Sequence, residues 1–442
     1  MFKLSLEFIF CMEPKPGDVV EVETGTEIIS GILMPRPEIL ASDIIVIKLE
    51  NGYNIGIAKE NIQQMRFKEP YQQKKERKEI SPPNPNLETV SLLSFGGTIS
   101  SKVDYRTGGT YADYTAEDFV AMMPELKEIA NIHPKKIAAL MSEDMEPTDW
   151  QLMAKHVVEE LNKKEIKGVV VTQGTDTLHF STAALSFFLK DLHKPVIFTA
   201  AQRSIDRGSS DAFMNLVCAI NAAAKSDIAE VMTCMHGTTD DDYCLLIRGT
   251  KVRKMHTSRR DAFRPINELP FGKIWMNGTI EIINNNYRKR SDGKTTLDVA
   301  FEKKTALVYI YPGMDPEIID FYAAKNYKGI ILAATALGHV PTVKGTFSLI
   351  PYIERARKKN IVLAITSQTL YGKVHPFVYT NLRKLSITHD VVFLEDMLPE
   401  TAYIKLGWIL GKETDPVKIR TLLLTNIAGE LNKRLDDKSF LY

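Results

Sequence analysis

Val169-Val170-Val171 followed by Thr172-Gln173-Gly174-Thr175-Asp176-Thr177 constrains this chain more than any other stretch. An unbroken β-branched run is a strand buried on both faces, the pattern of a parallel sheet covered by helices. The run ends in a glycine turn that presents a hydroxyl, a carboxylate and another hydroxyl. Open sheets of this kind place their chemistry beyond the carboxyl ends of the strands. A second segment of the same design lies upstream, Val90 to Phe95 and then Gly96-Gly97-Thr98-Ile99. Two strand ends that each deliver a threonine after glycine point to chemistry with hydroxyl nucleophiles.

The alternation of strands and helices after Leu87 predicts a doubly wound α/β core. Strands are expected at Val90–Phe95, Lys136–Met141, Gly168–Thr172, Val196–Ala200 and Ile228–Met235, with helices at Glu117–Met123, Trp150–Lys163, Ser181–Asp191 and Ala212–Lys225. A charged, turn-rich passage at Asn284–Lys294 separates this unit (87–283) from a second α/β unit (295–442), with strands at Thr305–Tyr311, Gly329–Ala334 and Ile361–Ile365 and a helix at Thr401–Leu410. Residues 1–70 read differently. Short alternating segments and the Asn51-Gly52 hairpin signal predict a small all-β, SH3-like barrel. Residues 71–86, with the run Lys74-Lys75-Glu76-Arg77-Lys78 and then Pro82-Pro83-Asn84-Pro85, form a stiff solvated linker; an RNA contact is the alternative. A length of 442 residues suits about three domains.

The charge balance, 56 basic against 55 acidic residues, advertises no nucleic-acid partner for the chain as a whole. Four cysteines without zinc or redox spacing fit a reducing, cytoplasmic setting. No membrane span or signal peptide is expected, and residues 1–11 read as a dispensable extension ahead of Met12. The nine histidines show no metal-ligand spacing, and Asp240-Asp241-Asp242 reads as an acidic surface loop rather than a magnesium site.

Each chemical motif has a plain alternative. Thr98 could sit in an ordinary glycine turn, and Thr175 and Asp176 could cap a helix. The run Arg248 to Phe263 could be a solvated basic face. Its place after a strand of the same domain also lets one lysine reach Thr175 and Asp176, where a partly desolvated amine can move a hydroxyl proton.

Taken together, the segments resemble the L-asparaginase family. Gly96-Gly97-Thr98-Ile99 matches its first threonine motif and Gly174-Thr175-Asp176-Thr177 its second. Ser142-Glu143-Asp144-Met145 resembles the substrate-binding segment between them, although the family carries Gln at the position of Glu143. Val252-Arg253-Lys254 aligns with the segment that holds the catalytic lysine. The β module and Asp104–Gly109, Met235–Thr239, Arg253–Phe263 and Glu395–Ala402 narrow the resemblance to the D subunits of archaeal-type glutamyl-tRNA(Gln) amidotransferases.

The resemblance implies Thr98 as nucleophile, with Thr175, Asp176 and Lys254 handling protons, and Ser142, Glu143 and a lid tyrosine, Tyr105 or Tyr111, binding substrate. It implies glutamine or asparagine as donor, and no cofactor in this chain. A partner E subunit would use ATP and Mg²⁺ on Glu-tRNA(Gln), in an assembly of two D and two E subunits around a D homodimer. A free-standing L-asparaginase with a fused β module is the alternative.

Overall fold

A computed structural model describes residues 13–35, 43–70, 84–97, 99, 101–103, 110–112, 123, 125–205, 207–343 and 345–442, the side chains of 101–103 and 110–112 excepted. The first five strands, β1 (Asp18–Thr24), β2 (Ile28–Met34), β3 (Ile44–Lys48), β4 (Asn54–Ala58) and β5 (Ile62–Pro70), form one antiparallel sheet in the order β4-β3-β2-β1-β5. Alternation buries Val20, Val22, Ile29, Leu33, Ile47 and Ile57 on one side, the period expected of a half-buried strand. Gly52, at φ +85°, closes the β3–β4 turn that the Asn51-Gly52 pair predicts.

The large sheet is built from β6 (Thr89–Gly96), β9 (Asn131–Leu140), β10 (Ile166–Thr172), β12 (Val196–Thr199), β13 (Val231–His236), β14 (Cys244–Arg248), β17 (Gly272–Ile274) and β18 (Ile280–Ile282). Its order is β18-β17-β14-β13-β12-β10-β6-β9. The pairs β9–β6, β6–β10, β10–β12 and β12–β13 are parallel, as expected; the pairs from β13 through β14 and β17 to β18 are antiparallel. The sheet is thus mixed, and its antiparallel half corrects the purely doubly wound expectation. The helices Pro147–Leu161 and Leu178–Phe188 cover one face and Ala212–Lys225 the other.

Between the strands of this sheet run small hairpins: β7 (Ser101–Val103) with β8 (Thr110–Ala112), and β15 (Val252–Lys254) with β16 (Phe263–Pro265). β11 (Leu189–Lys190) pairs with β19 (Thr296–Leu297). The expected helix Glu117–Met123 lies outside the described residues apart from buried Met123.

A four-stranded parallel sheet follows, in the order β20 (Thr305–Tyr309), β21 (Gly329–Ala334), β22 (Val362–Ser367), β23 (Val392–Phe393). Its helix Pro399–Leu410 packs against Leu178–Phe188 of the larger unit, with Trp408 stacked on Phe187 at 5.6 Å. Each such large apolar side chain, fully buried, contributes about 1.5–3 kcal/mol. The passage 284–294 is strapped down rather than loose. Arg288 pairs with Glu230 at 2.7 Å, and Arg290 donates to the carbonyls of Ala223 and Ser226. Among the described residues, no helix is long and apolar enough to cross a membrane.

Candidate active site

The chain leaves β6 for β9 on one side, then crosses to β10 on the other, so a topological switch point opens between β6 and β10. Ligands of open α/β sheets sit in such crevices. In register, Ser94 lies beside Thr172, which brings the Gly96-Gly97 turn alongside Gln173-Gly174. Gly97 has φ +82°, and a Cβ placed on it would stand 2.1 Å from the Gly174 backbone nitrogen. Only glycine permits this approach. A Cβ on Gly174 would in turn meet the Ser142 hydroxyl at 2.7 Å. Three strand ends, those of β6, β9 and β10, therefore converge on one glycine.

Around this point the structure gathers most of the expected residues. Lys254, on β15, places its Nζ 2.8 Å from Thr175 Oγ1 and 2.6 Å from Asp176 Oδ1. The lysine side chain is 10% exposed and the aspartate 64%. Ser142 is buried against Gly174, and its carbonyl accepts a 2.6 Å bond from the Thr177 hydroxyl; Glu143, next to it, is exposed. Thr98 and Tyr105 lie outside the described residues, and Tyr111 falls on β8. The capping alternative is not realised. Thr177 is the N-cap of the helix Leu178–Phe188 and makes no side-chain cap, while Thr175 and Asp176 face the lysine.

Nor is the basic run a free solvated face. Lys251 pairs with Asp396 at 2.7 Å with both side chains fully buried, Arg253 with Glu400 at 2.9 Å, and Arg260 with Asp241 at 3.0 Å. Asp261 takes Arg259 at 2.8 Å and Arg264. Because side chains alternate along a strand, Arg253 and Lys254 point to opposite faces of β15. Arg253 thus binds the helix Pro399–Leu410 while Lys254 reaches the threonine. The root of the hairpin is fastened from the same side. The Thr401 hydroxyl donates to the Thr250 carbonyl at 3.0 Å, and Asn432 donates twice to Asp396 at 2.9 Å.

Several site residues escaped the sequence reading. His179, one helical turn after Asp176, is buried; burial first, then the Arg253 and Lys254 cations, push its pKa down to about 3. Its Nδ1 has no hydrogen-bond partner. The Tyr309 hydroxyl is 3.3 Å from Glu400, and burial, then the glutamate, raise its pKa. Glu400 was legible only as part of a resemblance, since nothing in the spacing of distant segments says that it meets Arg253. No group of three His, Cys, Asp or Glu side chains among the described residues could hold a metal; Asp241 is spent on His236 and Arg260.

Comparison with known proteins bears on this arrangement. The asparaginase N-terminal domain family matches residues 89–288, the glutaminase/asparaginase C-terminal domain family residues 304–423, and the GatD N-terminal domain family residues 14–67. The D subunit of the glutamyl-tRNA(Gln) amidotransferase of Pyrococcus furiosus is 49% identical over 427 residues, covering 96% of this chain and 95% of the relative. The chain belongs to the family of glutamyl-tRNA(Gln) amidotransferase D subunits. Another member, from Thermococcus kodakarensis, is 46% identical with 96% of each chain covered.

Among solved structures, the thermostable L-asparaginase of Thermococcus kodakarensis superposes with a TM-score of 0.68 at 28% identity, covering 78% of this chain and 100% of its own. L-asparaginase I of Vibrio cholerae gives 0.67 at 25% identity, with 78% and 99% covered. This member of the D-subunit family is therefore an asparaginase-like α/β fold preceded by an all-β region.

Proposed function

We propose that this D-subunit family member hydrolyses the side-chain amide of glutamine or asparagine and supplies the ammonia to a partner E subunit. The partner would activate Glu-tRNA(Gln) with ATP and Mg²⁺ and convert it to Gln-tRNA(Gln), the reaction named for the curated relatives. The observation that carries the reading is Lys254 Nζ within hydrogen-bond distance of both Thr175 and Asp176. A hydroxyl is a weak nucleophile, so an amine held against it by a carboxylate is the group such chemistry needs.

In the proposed cycle a threonine oxygen, Thr98 by family resemblance, attacks the amide carbonyl. Its proton passes through Thr175 to the neutral form of Lys254, with Asp176 stabilising the resulting ammonium. The C–N bond breaks as the proton returns to the leaving nitrogen. Water, giving its proton to the same lysine, then cleaves the acyl ester and restores the hydroxyl. The turn at Gly96-Gly97 and the buried Ser142 support a substrate seat at the switch point, and Tyr105 or Tyr111 would close it from above. The chain would work in the cytoplasm as a homodimer carrying one E subunit on each protomer.

The test measures glutamine and asparagine hydrolysis by the chain alone, with the partner, and with partner plus Glu-tRNA(Gln). Thr98→Val and Lys254→Arg should each lower the rate by about three orders of magnitude while circular dichroism stays unchanged. Stimulation of about tenfold by the charged complex needs only ~1.4 kcal/mol of coupling. Normal turnover by either variant overturns the chemistry. Equal rates in all three mixtures overturn the amidotransferase role in favour of a free-standing asparaginase.

A further inference from the structure

The turn between β3 and β4 reaches across to the loop that follows β12. Gly208 donates its backbone N–H to the Gly52 carbonyl at 3.2 Å, and a Cβ on Gly208 would collide with the Tyr53 ring at 2.7 Å. The Tyr53 hydroxyl is hydrogen-bonded to Ser209. Between the two elements lies a cavity of about 470 Å³, lined by Tyr53, Asn54, Gln202, Arg203, Ser204 and Arg207 together with Gly52 and Gly208.

The lining has a one-sided chemistry. Among the described residues it carries two guanidinium groups and no carboxylate, and neither arginine makes an ion pair there. Ser204 is 1% exposed, yet its hydroxyl has no partner; the Gln202 amide nitrogen is also buried without one. Buried polar atoms are nearly always satisfied, so unpaired donors facing a cavity mark a missing acceptor.

The loop is also fixed in advance. The buried carboxylate of Asp211 accepts the backbone N–H groups of Gln202 and Arg203 at 3.0 and 3.1 Å, the Ser210 hydroxyl donates to the Arg203 carbonyl at 2.9 Å, and Arg207 N–H donates to the Ser204 carbonyl at 3.1 Å. Asp211 thus serves the backbone and leaves the side-chain donors to the cavity.

We propose that this cavity at the seam between the β module and the α/β core binds a phosphate-bearing ligand of nucleotide size, free or as part of a polynucleotide. Paired guanidiniums with added neutral donors suit a tetrahedral oxyanion, which accepts charge-assisted bonds from several directions. A volume of 470 Å³ exceeds one phosphate and falls in the range of small-molecule sites. Such a ligand would bridge the β module to the loop, and the loop meets the catalytic hairpin through the bond from Arg260 to the Ser209 carbonyl.

Calorimetric titration of the full chain at low salt with inorganic phosphate, a mononucleotide and a short oligoribonucleotide tests this. Saturable phosphate binding is expected, strengthened in the mononucleotide if the source is a free nucleotide and in the oligomer if it is a polynucleotide. Arg203→Gln and Arg207→Gln should each weaken binding about tenfold and Ser204→Ala several-fold, with unchanged melting temperature. The proposal is overturned if none of the three probes binds saturably, or if the double Arg203→Gln/Arg207→Gln variant binds like the wild type.

Discussion

Replacing Lys251 by Met removes one half of the buried ion pair under the catalytic hairpin. At the 2.7 Å separation from Asp396 and an effective dielectric of ~20, the lost attraction is about 6 kcal/mol. Part of it is returned because the lysine no longer has to be desolvated, a cost visible in the lowered pKa of Lys251. The carboxylate keeps both Asn432 donors but stands buried without a counter-charge. Removing one partner of such a pair costs about 3–5 kcal/mol.

The double variant Lys251→Met/Asp396→Asn retains an acceptor for Asn432 and removes the stranded charge, so it should regain about 2 kcal/mol or more. Urea unfolding followed by tryptophan fluorescence reads both changes. Amide hydrolysis by the folded single variant should fall at least about tenfold, because a misplacement of Lys254 near 1 Å is costly. A single variant within about 1 kcal/mol of wild type, or a double variant no better than the single, would refute the anchoring role.

Two further outcomes follow from the surroundings of the site. His179 has a folded-state pKa near 3 against an ordinary 6.5, so the unfolded chain binds the extra proton between these values. Stability should therefore rise with pH from 3 to 6.5, and His179→Gln should flatten that slope in denaturation curves taken across the range; an unaltered slope would count against a buried neutral imidazole. Glu400→Gln leaves the half-buried Arg253 guanidinium without its 2.9 Å carboxylate, and should cost about 1.5–3 kcal/mol and lower kcat more than it raises KM. A variant changed in KM alone would place Glu400 in substrate binding instead.

The parallel half of the large sheet was legible because Val169–Val171 and Leu92–Leu93 are continuous apolar runs with no polar face to misassign. Gly329–Ala334 and Ala212–Lys225 fall where the sequence puts them, for the same reason and for the period of the helix. The antiparallel half was not, since three-residue strands such as Gly272–Ile274 and Ile280–Ile282 are too short to show a period. Asn284–Lys294 reads as a separator because it is charged, yet its arginines are spent on Glu230 and on helix-end carbonyls.

At the site, the threonine motifs were visible as glycine turns on strand ends. The partners of the basic run were not, because an ion pair between distant segments leaves no mark on local spacing. Arg253 and Lys251 looked like members of one cationic stretch until the fold handed each its own carboxylate.

The footing of the catalytic hairpin has an evolutionary consequence. Lys254 is encoded in the first α/β unit, but the strand that carries it is nailed to the second through Thr250, Lys251 and Arg253. A recombinant that joins the first half of one homologue to the second half of another would set the lysine on a foreign foundation. Productive crossovers must therefore carry Thr250, Lys251, Arg253, Asp396, Glu400 and Asn432 as one inherited block, although these residues lie scattered over the latter part of the gene.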